Sequence, residues 1–271
     1  MKICQNISEL KRYLKTNQDK TIGFVPTMGN FHAGHESLFQ RSVNDNDLTI
    51  VSSFVNPTQF NQVEDYKTYP NTSEDDQLKA KATKVNVLFM PSYEDLYPAD
   101  FCYQTSESRL SQLLEAAYRP GHFRGVLTVV LKLLQLIRPT KAYFGEKDYQ
   151  QLALIKGLVK AFFIEAEIVA CPTIRSSAGL ALSSRNNLLT DTQLKQAELF
   201  PKLLQSNLSN KEIIEQLNLN GLMVDYVEDY EDRRYGAVKI GNVRLIDNFA
   251  LSSLEEVHKT DTQEINQRIV C

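Results

Sequence analysis

The sequence is poor in the residues that build metal cages, disulfide frameworks and membrane spans. Only 4 cysteines and 4 histidines occur among 271 residues. Cys4, Cys102, Cys171 and Cys271 lie far apart with no CxxC spacing, which excludes a disulfide-stapled scaffold and a thiolate zinc site and suits reduced thiols in a cytoplasm. A formal net charge of -3 offers no excess of one sign, so a broad nucleic-acid or anionic-membrane surface is not expected. The most apolar stretch, Val126 to Ile137, is broken by Lys132 and Gln135 and is too short to span a bilayer. It reads as a buried helix. The opening residues, Met1 to Asn6, lack the apolar core of a signal peptide. No internal repeat or low-complexity run is present. What remains is the composition of a globular enzyme, 42% hydrophobic and 23% charged, long enough for one large domain or two modest ones.

Strand and helix patterns alternate through the first two thirds. Strands are predicted at Thr21–Val25, Leu48–Val55, Val85–Met90, Lys141–Phe144 and Glu167–Ala170. Helices are predicted at Gly34–Asn44, Ser73–Thr83, Ser108–Tyr118, His122–Ile137 and Tyr149–Phe162. Such alternation implies an α/β, Rossmann-like parallel sheet covered by helices on both faces, with ligands at the carboxyl ends of its strands. Beyond Cys171-Pro172 the pattern changes. Helices at Asp191–Asn207 and Asn210–Leu217 precede closely spaced strands at Met223–Tyr230, Ala237–Ile240 and Val243–Ile246. We therefore expect a first domain over 1–172 and a smaller α+β domain over 173–271. The polar tail from Ser252 to Cys271 is assigned no structure.

Three polar motifs follow predicted strands directly. The first, Val25-Pro26-Thr27-Met28-Gly29-Asn30-Phe31-His32-Ala33-Gly34-His35, runs from a strand into a helix, whose unpaired N–H groups and partial positive charge suit phosphate. Gly34 leaves room for a nucleotide to approach the backbone, and His32 and His35, three apart, can point the same way. The competing reading is a pair of surface or capping histidines beside a tight turn. The second is Phe144-Gly145-Glu146-Lys147-Asp148-Tyr149-Gln150-Gln151, where Lys147 supplies a point charge and Gln151 lies about one helical turn on. Alone it equally describes a polar loop capped by Asp148. The third, Phe54-Val55-Asn56-Pro57-Thr58-Gln59-Phe60, offers Gln59 to a small polar substrate, or is a Pro turn among packed aromatics. Elsewhere, Leu182-Ser183-Ser184-Arg185-Asn186 brings two hydroxyls and a guanidinium, a common loop composition that can also hold a triphosphate. Glu74-Asp75-Asp76 could hold Mg²⁺ together with phosphates, or merely favour a helix start.

Together and in this order, the segments resemble the pantothenate synthetase family. The resemblance rests on PTMGNFHAGH (26–35), FVNPTQF (54–60), YPNT followed by EDD (69–76) and RPGHFRGV (119–126). It rests equally on FGEKDYQQL (144–152), LALSSRN (180–186) and RLIDN (244–248). HxGH by itself marks only the wider HIGH-type nucleotidyltransferases. Three positions depart from the family pattern. Ala178 stands for an Asp before Gly-Leu-Ala, Asn61 for a Gly, and Asn30-Phe31 for the commoner Ala-Leu.

The resemblance implies ATP-dependent condensation of pantoate with β-alanine through a pantoyl adenylate, giving pantothenate, AMP and pyrophosphate. It implies an ATP site formed by Met28, Gly29, Asn30, Phe31, His32, Ala33, Gly34 and His35. Gly145, Glu146, Lys147, Asp148, Ile174, Leu182, Ser183, Ser184 and Arg185 would complete it. His35 would be the proton donor, with His32, Lys147 and Arg185 as catalytic companions. Gln59 and Gln151 would bind pantoate, Gln59 also β-alanine, and Asp75 with Asp76 would hold Mg²⁺. A homodimer built through the first domain, and a second domain closing over ATP, are implied as well. Two rivals share parts of this pattern. A phosphopantetheine adenylyltransferase would need a phosphate acceptor site, for which the Gln59/Gln151 pair is poorly suited. A silent nucleotide-binding regulator would have no need of both histidines, Lys147 and Arg185.

Overall fold

The computed structural model describes residues 1–61, 63–70 and 72–252, with nothing said of the side chains of Val63 and Glu64. The polar tail, but for Ser252 itself, and Asn71 of the YPNT motif therefore lie outside the described residues. Two units divide between Ile174 and Arg175, two residues beyond the boundary expected from the sequence.

The first unit holds a six-stranded parallel sheet made of β1 (Lys2–Cys4), β2 (Ile22–Thr27), β3 (Leu48–Ser53), β4 (Val87–Phe89), β5 (Lys141–Gly145) and β6 (Glu167–Cys171). The spatial order is β1-β4-β3-β2-β5-β6. Ile22 faces Leu48 and Phe24 faces Ala142 across the two ladders of β2. From β2 the chain builds outward through β3 and β4 on one side, and through β5 and β6 on the other. The order thus reverses between β2 and β5, and the crevice beyond their carboxyl ends is the natural ligand position of such a sheet.

Alternate side chains sort to the two faces, as the pleat requires. Phe24, Ile50, Phe89 and Phe144 join one core, covered by α4 (His122–Ile137) and α5 (Tyr149–Ala161) through Leu127, Leu134 and Ile155. Val25, Val51, Leu88 and Tyr143 join the other, covered by α2 (Ala33–Asp45) through Leu38 and Phe39. The edge strand β1 and the helix α1 (Ile7–Lys15) after it were not expected. Three extended residues carry too little periodicity to read.

The helix expected over Ser108–Tyr118 is absent. Leu110–Gln112 forms a 3₁₀ turn, Leu114 adopts φ 51, and only Glu115–Tyr118 is helical. Gln150 dictates that break: its side chain accepts from the Glu115 amide at 3.1 Å and donates to the carbonyls of Leu110 and Leu113 at 2.9 and 2.8 Å. The helix α3 runs from Ser73 to Ala82. The C-terminus of α4 is set by Arg138 at φ 50 ahead of Pro139.

The second unit packs helices α6 (Asp191–Ala197), α7 (Leu199–Leu204) and α8 (Asn210–Leu219) on an antiparallel sheet of β7 (Met223–Tyr230), β8 (Arg233–Ile240) and β9 (Val243–Ala250), ordered β9-β8-β7. Phe200, Leu204, Ile213, Leu217, Val238 and Ile240 form its core. The single helix expected over Asp191–Asn207 breaks at Glu198, three residues before Pro201, which has no N–H to continue the ladder. Among the described residues, no helix is long and apolar enough to cross a membrane.

Candidate active site

The carboxyl end of β2 turns sharply. Thr27 Oγ1 donates to the carbonyl of Ser52 at 2.7 Å and accepts from the amide of Gly29 at 3.1 Å. Gly29 and Asn30 then adopt left-handed conformations, φ 82 and 53. Glycine and asparagine tolerate this region best, which accounts for the unusual Asn30. Helix α2 begins with two imidazoles serving as its cap. His32 Nδ1 accepts from the amide of Gly34 at 3.1 Å, and His35 Nδ1 accepts from the amide of His32 at 3.4 Å. The rings lie 4.1 Å apart. A Cβ on Gly34 would fall 2.8 Å from His32 Cε1. That glycine therefore makes space for the imidazole.

Because each Nδ1 accepts a hydrogen bond, the hydrogen of each neutral ring sits on Nε2. Loss of water on burial, helped by the ammonium groups of Lys147 and Lys79, lowers the His32 pKa to about 4; burial, then His32, Lys147 and Lys79, lowers the His35 pKa to about 3. At neutral pH the pair offers two N–H donors without charge. Because β2 and β5 pair in parallel, the loops at their carboxyl ends, more than a hundred residues apart in sequence, are neighbours at the crevice, in keeping with the effect of Lys147 on both rings.

After β5, Glu146–Asp148 forms a 3₁₀ turn leading into α5. A Cβ on Gly145 would meet nothing within 4 Å, so the backbone there borders open space. Asp148 makes no side-chain cap bond to α5, and its carboxylate lies 3.5 Å from the Lys147 ammonium. Of the two glutamines that follow, Gln150 is buried and committed to residues 110–115, while Gln151 is half-buried on the same helix.

Gln59 sits in a buried polar knot built after β3. Asn56, 1% exposed, donates to Gln59 Oε1 at 3.0 Å and to the carbonyl of Gly125 at 3.3 Å, and accepts from Thr58 and Tyr97 hydroxyls at 2.9 and 3.1 Å. The carbonyl of Gln59 receives a hydrogen bond from His122 Nδ1 at 2.8 Å. The donor is fixed because His122 Nε2, 3.2 Å from the Arg119 guanidinium, can only accept there. Asn56, His122 and Gly125 stand within the sequence motifs but carry no expected role. Asn before Pro, and Gly within an otherwise bulky helix, were the available signals.

Both carboxylates of the expected Mg²⁺ pair already have protein partners. Both carboxylate oxygens of buried Asp76 accept backbone amides, Asn30 at 2.8 Å and Phe31 at 2.7 Å, and Asp75 pairs with the Lys79 ammonium at 2.6 Å. Among the described residues, no cluster of three His, Cys, Asp or Glu side chains could hold an ion.

Ile174 closes the first unit, and Leu182, Ser183, Ser184 and Arg185 lie in the second. There the Ser183 side chain accepts from the amide of Arg185 at 3.2 Å and starts a 3₁₀ turn. The chain leading to it is anchored by Arg175, which donates to both oxygens of Asp247 at 2.6 and 2.9 Å and to the carbonyl of Gly179 at 3.0 Å. Gly179 adopts φ 89 in the turn that Ser176 closes, so the turn is made without an acid at Ala178.

Comparison with known proteins gives a single outcome. The sequence model of the family described as pantoate-beta-alanine ligase matches residues 2–250. A pantothenate synthetase of Legionella pneumophila (strain Corby) is 50% identical over 252 residues, 93% of this chain and 100% of that protein. One from Coxiella burnetii (strain Dugway 5J108-111) is 48% identical over 247 residues, covering 91% and 96%. Among solved structures, the pantoate-beta-alanine ligase of Francisella tularensis, complexed with beta-gamma ATP and beta-alanine, superposes with a TM-score of 0.88 at 44% identity, covering 93% of this chain and 98% of that one. The pantothenate synthetase of Thermus thermophilus gives 0.85 at 35% identity, covering 93% and 99%.

Proposed function

This chain belongs to the pantoate–β-alanine ligase family, and on that premise we infer that it condenses pantoate with β-alanine at the expense of ATP. The observation that carries the reading is the meeting of the HxGH loop and Lys147 at the point where the sheet order reverses. In the first half-reaction, a carboxylate oxygen of pantoate bonds to the α-phosphorus of ATP. The bond from that phosphorus to the bridging oxygen breaks, and pyrophosphate leaves with the electron pair. In the second, the free amine of β-alanine attacks the acyl carbon. AMP leaves with the carbon–oxygen electrons and the nitrogen gives up a proton. A carboxylate resists amines until it carries such a leaving group, and two anions have to meet before it can.

The residues divide that work. The N-terminus of α2 and the loop from Met28 to His35 receive phosphates, with Nε2–H groups of His32 and His35 donating to their oxygens. Bringing a polyanion against the two rings raises their proton affinity, so His35 gains the character of a proton donor as ATP binds. Lys147 offsets charge that develops on the leaving pyrophosphate, and the open space at Gly145 admits the nucleotide. Gln59 and Gln151 bind pantoate through amides that both donate and accept, and Gln59 then meets β-alanine. Ile174 and Leu182–Arg185 are assigned nucleotide contacts by the family resemblance. Mg²⁺ would accompany ATP on its phosphates instead of on Asp75 and Asp76. Activity in the cytoplasm, as a homodimer formed through the first unit, with the second unit closing over ATP, completes the proposal.

The decisive experiment supplies ATP, Mg²⁺ and pantoate, with and without β-alanine. Stoichiometric AMP and pantothenate that appear only with β-alanine are expected. ATP turnover indifferent to both acids would remove the ligase reading.

A further inference from the structure

Helix α3 reaches the nucleotide loop with two side chains on one face. Asp76, 2% exposed, takes the amides of Asn30 and Phe31 on its two oxygens. Lys79, three residues on, donates from Nζ to the carbonyl of Phe31 at 2.7 Å while pairing with Asp75. The peptide groups on both sides of Phe31 are thus gripped from the same helix. A carboxylate takes the N–H and an ammonium takes the C=O. The gripped segment contains the left-handed Gly29 and Asn30, a geometry that an unsupported loop populates little. A Cβ on Gly29 would come 3.0 Å from Asp76 Oδ2, so the carboxylate and the turn are fitted to each other. One residue further on, His32 caps α2.

We propose that Asp76 and Lys79 are positioning residues, a two-point clamp that holds Gly29–Phe31 in the turn from which the start of α2 and the His32/His35 pair address the phosphates. The proposal rests on the ATP-site reading above. It gives the acidic start of α3 a purpose other than metal coordination. Asp76→Asn is the discriminating change, because its amide nitrogen would confront one of the two N–H donors with a third N–H group. A carboxylate that only stabilises the fold would lower kcat by reducing the active fraction and leave KM for ATP alone. A metal ligand, when lost, would raise the Mg²⁺ requirement in a way that excess metal relieves. A clamp predicts neither outcome.

The test uses the purified full-length protein, with steady-state kinetics for each substrate, Mg²⁺ titrations, and calorimetry with a non-hydrolysable ATP analogue. For Asp76→Asn we expect KM for ATP and the analogue Kd to rise about tenfold or more, the scale of a lost charge-assisted hydrogen bond. KM for β-alanine and the half-saturating Mg²⁺ should stay unchanged. Lys79→Met, which keeps the stem and is milder, should weaken ATP about threefold, with Lys79→Arg restoring most of it. An analogue Kd within twofold of wild type in folded Asp76→Asn, or a defect cured by Mg²⁺, overturns the clamp. Should Asp76→Asn not fold, an unchanged analogue Kd in Lys79→Met does the same. The calorimetry needs no turnover, so absence of pantothenate formation by wild type would count against the ligase reading and leave the clamp to be judged by binding.

Discussion

Gln59 and Met28 are in contact through their side chains: Nε2 of the glutamine donates to the thioether sulfur at 2.9 Å. This joins the polar knot after β3 to the loop after β2, so the proposed pantoate contact and the proposed phosphate loop share a wall. With Asn56 holding Oε1, the Gln59 amide is fixed in orientation before any substrate arrives. Gln59→Ala is therefore expected to raise KM for pantoate about tenfold or more, since a buried polar partner is lost. KM for ATP should change less than threefold, the thioether contact being weak. Separate substrate titrations of the variant check this, and an unchanged pantoate KM takes Gln59 out of the pocket.

The backbone under Gln59 depends on Gly125. A Cβ there would overlap the carbonyl of Thr58 and come within 2.7 Å of the Gln59 Cα, both parts of a main chain with nowhere to yield. Gly125→Ala should destabilise by about 1–3 kcal/mol through overpacking and weaken pantoate more than ATP. Gly157→Ala is the paired control, because a Cβ there meets nothing within 4 Å on helix α5. It should stabilise by about 0.5–1 kcal/mol and leave both substrates unaffected. Denaturant unfolding with kinetics on both variants would expose an error if the two behaved alike.

Three histidines make stability depend on pH in one direction. Burial is the largest cause that lowers the pKa of His32 to about 4, of His35 to about 3 and of His122 to about 4, nearby cations such as Arg119 beside His122 contributing the rest. Each is depressed below the ordinary value near 6.5, so the unfolded chain binds these protons first. Their contribution is complete above about pH 6.5 and is lost as pH falls from there toward the folded values. Between pH 7.5 and 5.5 we expect a loss of about 1 kcal/mol per histidine, before carboxylates titrate appreciably. Urea unfolding at steps across that range measures it. His122→Asn should flatten the slope by about one third, and a flat wild-type profile contradicts the assignment.

The parallel sheet and its loops were legible because buried strands such as Leu48–Ser53 are continuous apolar runs, and because the polar motifs start where those runs stop. The HxGH and GEKD loops could be placed at strand ends from sequence. Their convergence follows from the strand order, which depends on pairings between β2 and β5 that no local pattern encodes. In the broken segment at Leu110–Tyr118 a tertiary partner, Gln150, overrides the helical composition. Acids at Glu74-Asp75-Asp76 look alike in sequence, yet one is buried under the turn at Asn30 and Phe31 and its neighbours are exposed. The charge state of the imidazoles was equally out of reach. It is set first by lost water, then by the neighbouring imidazole and Lys147, and last by Lys79, a residue with no motif to announce it.

The second unit offers a test of how its proposed nucleotide residues are held. Asp247 has a side chain 1% exposed and is met by Arg175 with both guanidinium arms, while the same guanidinium lies 4.3 Å from the Phe249 ring. Arg175 also donates to Gly179, so one side chain ties β9 to the turn that leads to Leu182–Arg185. Removing the arginine alone strands a carboxylate in the interior. Arg175→Ala should therefore cost about 3–5 kcal/mol, and Asp247→Ala a similar amount. Replacing both, as Arg175→Ala with Asp247→Ala, should cost clearly less than the sum, because no unpaired charge is left. Unfolding free energies of the three proteins give the coupling directly. Amide exchange at residues 176–186 should quicken in each, since the tie to Gly179 is gone in all but Asp247→Ala and misaligned there. Additive free energies with undisturbed exchange would mean that the ion pair neither stabilises the unit nor shapes the turn.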